Sequence, residues 1–302
     1  MTKQEEISML KKEKDAVLLA HYYVCPEVQE IADYIGDSYF LSKKAVDMPH
    51  KTIVFCGVSF MGESAKLLNP EKTVLMPDAG ADCPMAHMVS EETVKRARAQ
   101  YEDLAVVCYI NSTAKIKSWS DVCVTSANAV KIVKNLPNKN ILFIPDRNLA
   151  HFVAEQVPEK TFIYNEGYCP VHEHMKAEEI KELKNMHPMA KVLVHPECNS
   201  EILKLADYIG STSGIIDFAK NSPDKEFIIG TESGVRYALQ KTRQDAEFFF
   251  PKTEPICTDM KKVTLDNIIE VLKNGSNEVT GSNQQTDDAA KQTLTRMLEL
   301  AK

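Results

Sequence analysis

Three cysteines stand out by their places in the chain. Cys83, Cys169 and Cys257 lie 86 and 88 residues apart, each shortly after an apolar run. Cys83 and Cys169 are followed by Pro84 and Pro170, and a Cys-Pro pair also closes the ferredoxin cluster motif. None has a partner at the C-x-x-C spacing of a zinc ribbon or finger. Three thiolates brought together could hold a four-iron cluster and leave one iron open, a Lewis acid for a substrate oxygen or nitrogen. A lone cysteine is usually just a small buried hydrophobe; three in matching places resist that reading. Cys25, Cys56, Cys108, Cys123 and Cys198 lack the register and read as packing, with Cys198 beside Glu197 the one to watch.

Two further sets repeat at the same offsets. His21 with Tyr23, Tyr109 with Asn111, and His195 with Glu197 are 88 and 86 residues apart, and Ser38, Ser126 and Thr212 follow seventeen residues later. A serine or threonine before a helix is ordinarily an N-cap. Three helix starts aimed at one point would be an anion site, suited to carboxylates or phosphate. A single histidine is often a satisfied core group. His21 and His195, paired by the repeat, suit donating hydrogen bonds to carboxylates or moving protons. Glu197 is the only carboxylate at its repeat position, which makes it the candidate general base; the alternative is an exposed Glu after Pro196. In the loop Asn165–His174, His172 reads as a substrate contact or a supporting group beside Cys169. The stretch Phe60–Ser64 opens a helix that packs around the site.

The elements that would position these residues repeat too. Ala32-Asp33-Tyr34-Ile35-Gly36 recurs as Ala206-Asp207-Tyr208-Ile209-Gly210, and Pro70-Glu71-Lys72-Thr73 recurs as Pro158-Glu159-Lys160-Thr161. Offsets of 174 and 88 give three units of about 87 residues. Each opens with a helix carrying Glu-Glu. The first strands are Ala16–Ala20, Leu104–Cys108 and Lys191–Val194, and the second are Thr52–Cys56, Asn140–Ile144 and Glu226–Ile229. The third are Thr73–Met76, Thr161–Tyr164 and Phe248–Phe250. An amphipathic helix after the first strand is expected to end at Gly36 and at Gly210, as C′ residues. Strands alternating with helices imply parallel sheets covered on both faces. The expected fold is α/β: three similar three-layer αβα units around a pseudo-three-fold axis, with the active site at the central interface. The expected boundaries are 1–88, 89–175 and 176–262, with a C-terminal helical extension over 263–302. In that extension, helices are expected over Leu265–Lys273 and Asp288–Ala301, with a polar loop between.

A formal net charge of −7 argues against a nucleic-acid or membrane-surface binder, which needs a basic face. The first fifteen residues have no apolar signal-peptide core, and no apolar run is long enough to span a bilayer. A cytoplasmic location is expected, and in that reducing compartment eight cysteines do not form a disulfide framework.

These motifs resemble one family. Ala20-His21-Tyr22-Tyr23, Gly36-Asp37-Ser38, Phe55–Met61, Pro77–Cys83, Tyr109–Ser112, His195-Pro196-Glu197-Cys198 and Gly210–Ser213 are similar to quinolinate synthases over nearly the whole chain. The resemblance implies a [4Fe-4S] cluster on Cys83, Cys169 and Cys257. It implies a transferase-class condensation of iminoaspartate with dihydroxyacetone phosphate to quinolinate, phosphate and water, a step of NAD biosynthesis. It implies substrate contacts at His21, Ser38, Tyr109, Asn111, Ser126, His195, Glu197 and Thr212. Catalytic roles fall to Glu197 and Tyr23, with His195 and Tyr109 beside them. A functional link to an L-aspartate oxidase or aspartate dehydrogenase follows; nucleic-acid and membrane partners do not. An aconitase-type iron–sulfur lyase and a metabolite sensor with structural zinc are the rival readings.

Overall fold

The computed structural model describes all 302 residues. The first unit runs α1 (Lys3–Glu13), β1 (Ala16–His21), α2 (Pro26–Ile31), β2 (Tyr34–Gly36), α3 (Ser38–Asp47), β3 (Thr52–Cys56), α4 (Ser59–Leu68) and β4 (Thr73–Leu75). The second repeats it as α5 (Glu91–Gln100), β5 (Leu104–Tyr109), α6 (Ala114–Ser118), β6 (Val122–Val124), α7 (Ala129–Asn135), β7 (Asn140–Ile144), α8 (Arg147–Gln156) and β8 (Thr161–Tyr164). A short α9 (Pro170–Glu173) leads to the third: α10 (Ala177–Met186), β9 (Lys191–Val194), α11 (Ser200–Leu203), β10 (Tyr208–Ile209), α12 (Thr212–Asn221), β11 (Glu226–Gly230), α13 (Val235–Thr242) and β12 (Glu247–Phe249). Helices α14 (Leu265–Asn274) and α15 (Gln284–Leu300) close the chain.

The three sheets share one strand order, β2-β1-β3-β4, β6-β5-β7-β8 and β10-β9-β11-β12, and every pairing between these strands is parallel. This is the α/β class expected from the repeat. The central strands are apolar because helices cover both faces. All six residues of β1 and of β5 are buried. Truncating Leu18, which is fully buried, to Ala would cost about 2–5 kcal/mol.

One expectation fails. The repeated Ala-Asp-Tyr-Ile-Gly does not end a helix. Helix α2 stops at Ile31, and Tyr34–Gly36 and Tyr208–Ile209 are short edge strands. Gly36 and Gly210 lack the left-handed backbone of a C′ glycine; among the glycines only Gly275, after α14, has it, at φ 66°. The motif's aspartate explains the strand. Asp33, Asp121 and Asp207 accept the backbone N–H of Leu18, Val106 and Val192 at 2.8, 2.7 and 2.9 Å. Each fixes the edge strand's entry beside the first strand. Glycine is needed at Gly36 and Gly210 because an added Cβ would strike the Phe40 and Tyr208 rings.

Helix α15 begins at Gln284, earlier than Asp288, because the Asn283 side chain caps it by accepting from Thr286 N–H. Part of the expected polar loop extends the first sheet instead: Val279 N–H donates to Val74 and Met76 N–H to Asn277. Helix α14 packs on α1, and α15 on α4, α6 and β6. The first two units and this tail therefore share one core of 60 buried residues. The third unit keeps two smaller cores, of 10 and 8 buried residues. No helix is long and apolar enough to cross a membrane.

Candidate active site

The carboxyl ends of the strands face a cavity of about 360 Å³, lined from all three units. The expected cluster, catalytic and substrate-contact residues all line it: Cys83, Cys169 and Cys257; His21, Tyr23, Tyr109, Asn111, His195 and Glu197; Ser38, Ser126 and Thr212; and His172. Cys56, Cys108, Cys123 and Cys198 are instead buried in the cores, and Cys25 stands before α2. The Cys198 thiol donates to the Gly230 carbonyl.

The cysteines are seated alike. Cys83 precedes a 3-10 turn (Pro84–His87) and Cys169 precedes α9. Proline follows each at no cost, since a helix's first N–H has no partner within it. The backbone N–H of Cys83 donates to Asp82 Oδ1 at 2.8 Å, that of Cys169 to Asp146 Oδ2 at 3.2 Å, and that of Cys257 to Glu232 Oε1 at 3.0 Å. Asp146 and Glu232 stand two residues past β7 and β11 and are fully buried. Asp146 also caps α8 through Leu149 N–H. Glu232 also holds Gly234 N–H at 2.6 Å and Lys261 Nζ at 2.8 Å. The sequence reading missed these carboxylates, although Asp146 and Glu232 repeat at the familiar 86-residue offset.

No cysteine is in a disulfide. Burial raises all three thiol pKa values. The charges of Glu197 and Cys257 add to the effect at Cys83, and those of Glu197 and Cys83 at Cys169. Three free thiols, one per unit, held by their amides around one cavity, fit an iron–sulfur cluster with an iron left for substrate. A second donor set overlaps them: Cys169 Sγ, His172 Nδ1 and a Glu197 oxygen lie within 4.8 Å of one another.

His21 and His195 end or follow the first strands of their units, and both accept a backbone N–H at Nδ1. Tyr23 N–H donates to His21 at 3.2 Å and Glu197 N–H to His195 at 3.3 Å. That fixes the tautomer, so Nε2–H is the donor; in His195 it meets Ser126 Oγ at 3.2 Å. Burial, the largest effect, pushes both histidines down to about 3, so they are neutral. Burial opposes charge on Glu197. His195 and His172 beside it, with hydrogen bonds from His172 and Tyr109, outweigh that and hold its carboxyl below the usual range. His172 Nδ1 is 2.8 Å from Glu197 Oε2.

Ser38 and Thr212 are the first residues of α3 and α12 rather than their caps. Asp37 and Ser211 cap those helices, and the Ser211 hydroxyl donates to Asp37 at 3.2 Å, pinning the two helix starts together. Ser126 lies in the turn before α7, whose cap position is Asn128. The Tyr23 hydroxyl sits 2.7 Å from both Thr212 Oγ1 and Thr231 Oγ1. Thr231 is another residue the sequence reading missed. Asn111 Oδ1 and Thr125 Oγ1 are buried without a hydrogen-bond partner, and both residues line the cavity. Buried polar atoms are seldom left so; these two are acceptors open to a bound molecule.

Comparison with known proteins points to one family. Residues 5–299 match the family model "NadA: Quinolinate synthetase A protein". The chain is 56% identical over 274 residues to a quinolinate synthase of Clostridioides difficile strain 630, covering 91% of this chain and 90% of that one. It is 52% identical over 301 residues to that of Fusobacterium nucleatum, covering 99% of both. It is 47% identical over 303 residues to that of Aquifex aeolicus, covering 99% of this chain and 94% of the relative.

Proposed function

The chain belongs to the quinolinate synthetase A family, and from that membership we propose that it condenses iminoaspartate with dihydroxyacetone phosphate to quinolinate, releasing phosphate and two waters. The observation that carries the proposal is the shared cavity, in which one thiol from each unit lies beside a strand end bearing histidine, tyrosine or glutamate. Cys83, Cys169 and Cys257 would hold a [4Fe-4S] cluster. Bound there, the cluster supplies a Lewis-acidic iron that withdraws electrons from a substrate oxygen or nitrogen.

The protein groups supply binding and proton movement. Neutral His21 and His195 donate Nε2–H to substrate carboxylates without adding positive charge. The starts of α3 and α12, at Ser38 and Thr212, offer free N–H groups to phosphate or carboxylate. Asn111 Oδ1 accepts from a substrate N–H or O–H. Glu197, ionised and 2.8 Å from His172, takes a proton from carbon or nitrogen. Tyr23 and Tyr109 give or take protons at oxygen. Buried walls keep bulk water from the imine, which it would hydrolyse.

The test is anaerobic. Purified protein should contain about four irons and four sulfides per chain, the count of a [4Fe-4S] centre, and should form quinolinate from the two substrates. A colourless protein without sulfide would remove the cluster. A second reading, one divalent ion on Cys169, His172 and Glu197, is favoured by the closeness of those donors; one metal per chain without sulfide would select it.

A further inference from the structure

Behind the cavity lies a fully buried lysine, and the repeat gives it a counterpart. Lys117, in α6, is closed off from solvent. Its Nζ reaches back five residues and donates to the carbonyl of Ser112. Ser112 follows Asn111 in the turn after β5, and Asn111 Oδ1 is one of the unpartnered acceptors of the cavity. Gln29, in α2, holds the same place in the first unit, 88 residues earlier, and is equally buried. Its amide NH2 donates to the carbonyl of Val24, again five residues back, at 2.9 Å, and to that of Tyr22 at 2.9 Å. Val24 and Ser112 are repeat equivalents, and so are the residues before them, Tyr23 and Asn111. The third unit has Leu203 at this place, which offers no donor; there Asn148 of α8 donates to the Glu197 carbonyl at 3.0 Å. The Lys117 ammonium pairs with no carboxylate. It faces the Phe60 ring at 5.6 Å and the Cys108 thiol of β5. Burial opposes charge on Cys108, yet the Cys123 thiol hydrogen-bonded to it and the Lys117 charge outweigh that and lower its pKa. Taking an ammonium out of water is strongly unfavourable unless partners offset it, and here the partners are that thiol and the Ser112 carbonyl.

We infer that Lys117 is a positioning residue that fixes the Asn111 turn from behind, as Gln29 fixes the Tyr23 turn. The inference deepens the condensation reading above and rests on it. Past the end of a strand, a turn has no ladder to hold its carbonyls, and a buried carbonyl must find another donor. Ser112 is fully buried, and its N–H already folds back on the Ile110 carbonyl at 2.7 Å. Without Lys117 Nζ the Ser112 carbonyl is left unpaired. The peptide after Asn111 is then free to turn, and Oδ1 loses its aim into the cavity. The two turns carry different chemistry. Asn111 accepts from the bound molecule, whereas Tyr23 handles protons at oxygen. Loss of Lys117 therefore weakens substrate binding, and loss of Gln29 slows the chemical steps.

The experiment uses the iron-loaded enzyme. Lys117→Met keeps the length of the side chain and removes the donor. Lys117→Gln copies the first unit, where Gln29 spans the same five residues. Iron and sulfide content should equal wild type in both. Lys117→Met should raise KM for at least one substrate by about tenfold, the effect of one lost hydrogen bond, with kcat within about threefold of wild type. Lys117→Gln should bring KM back to within about threefold. Gln29→Leu should instead lower kcat by about tenfold or more, with KM little changed. Adding Lys117→Met to Asn111→Ala should raise KM little beyond Asn111→Ala alone, because Lys117 acts through Asn111. Four results would overturn the inference: an unchanged KM or lost iron in Lys117→Met, a Gln variant no better than Met, a Gln29→Leu enzyme with wild-type kcat, or KM effects that multiply in full in the double variant. If Lys117→Met does not fold, Lys117→Met with Cys108→Ala, which removes the buried charges together, takes its place. Failure of wild type to make quinolinate would instead sink the reading on which the inference stands.

Discussion

Two rings of residues surround the cavity, and they repeat differently. Around one, every unit supplies the same group, a cysteine whose amide rests on a carboxylate. Around the other, matched strand ends carry His21, Tyr109 and His195, followed two residues later by Tyr23, Asn111 and Glu197. A compact inorganic core can be gripped alike from three sides. On the proposed condensation, an asymmetric pair of substrates cannot be turned over alike from three sides, in keeping with the divergence of this second ring. Even the first ring has one exception. The place filled by Asp146 and Glu232 is Val58 in the first unit, and there the half-exposed Asp82, next to Cys83 in the chain, accepts the cysteine's amide.

The sharpest way to break the contrast is at the thiols. Cys83→Ala, Cys169→Ala and Cys257→Ala should each remove essentially all iron and all turnover, measured by iron analysis and quinolinate formation. Unequal iron retention would show that the ring is not symmetric in function. Glu197→Gln should keep the iron yet slow turnover by about 10²-fold or more; near-normal turnover would remove Glu197 from the mechanism. The carboxylates come next. Asp146→Ala loses a buried helix cap and the partner of the Cys169 amide, so the metal-free protein should lose about 2–4 kcal/mol of stability. Asp82→Ala, half-exposed, should lose about 1 kcal/mol, both read from urea unfolding. The last test is in pH. His21 and His195 sit near 3 when folded and near 6.5 when unfolded. Between those values the unfolded chain binds protons that the folded one refuses, so stability falls as pH drops from about 6.5 towards 3. Replacing either histidine by Asn should flatten that fall by up to about 1.4 kcal/mol per pH unit.

Much of this was legible in the sequence because the chain is written three times. The offset between Cys83 and Cys169 needs no structure to be seen, and the apolar runs of β1, β5 and β9 announce covered parallel strands. The edge strands were missed because two or three residues such as Tyr208–Ile209 carry no period of their own. Their pairing is set by a distant amide on Asp207. Thr231 was missed for the opposite reason: its partners Tyr23 and His172 lie 208 and 59 residues away, and nothing local marks it. Asp146 was visible as a register but not as a function, since a residue after a strand looks like any helix cap until the neighbouring Cys169 amide is placed.

The division of the core has a consequence for how the molecule breathes. The chain leaves the large core after the second unit and rejoins it at Met260. The third unit is therefore a leaf stitched at both edges, with Glu197, Thr212 and Thr231 on its inner face. Parting the first two units would tear a core of 60 residues, whereas tilting the leaf disturbs neither that core nor its own two of 10 and 8. Moving the leaf would instead have to break the hydrogen bonds that cross to it, Ser211 to Asp37 and Tyr23 to Thr212 and Thr231.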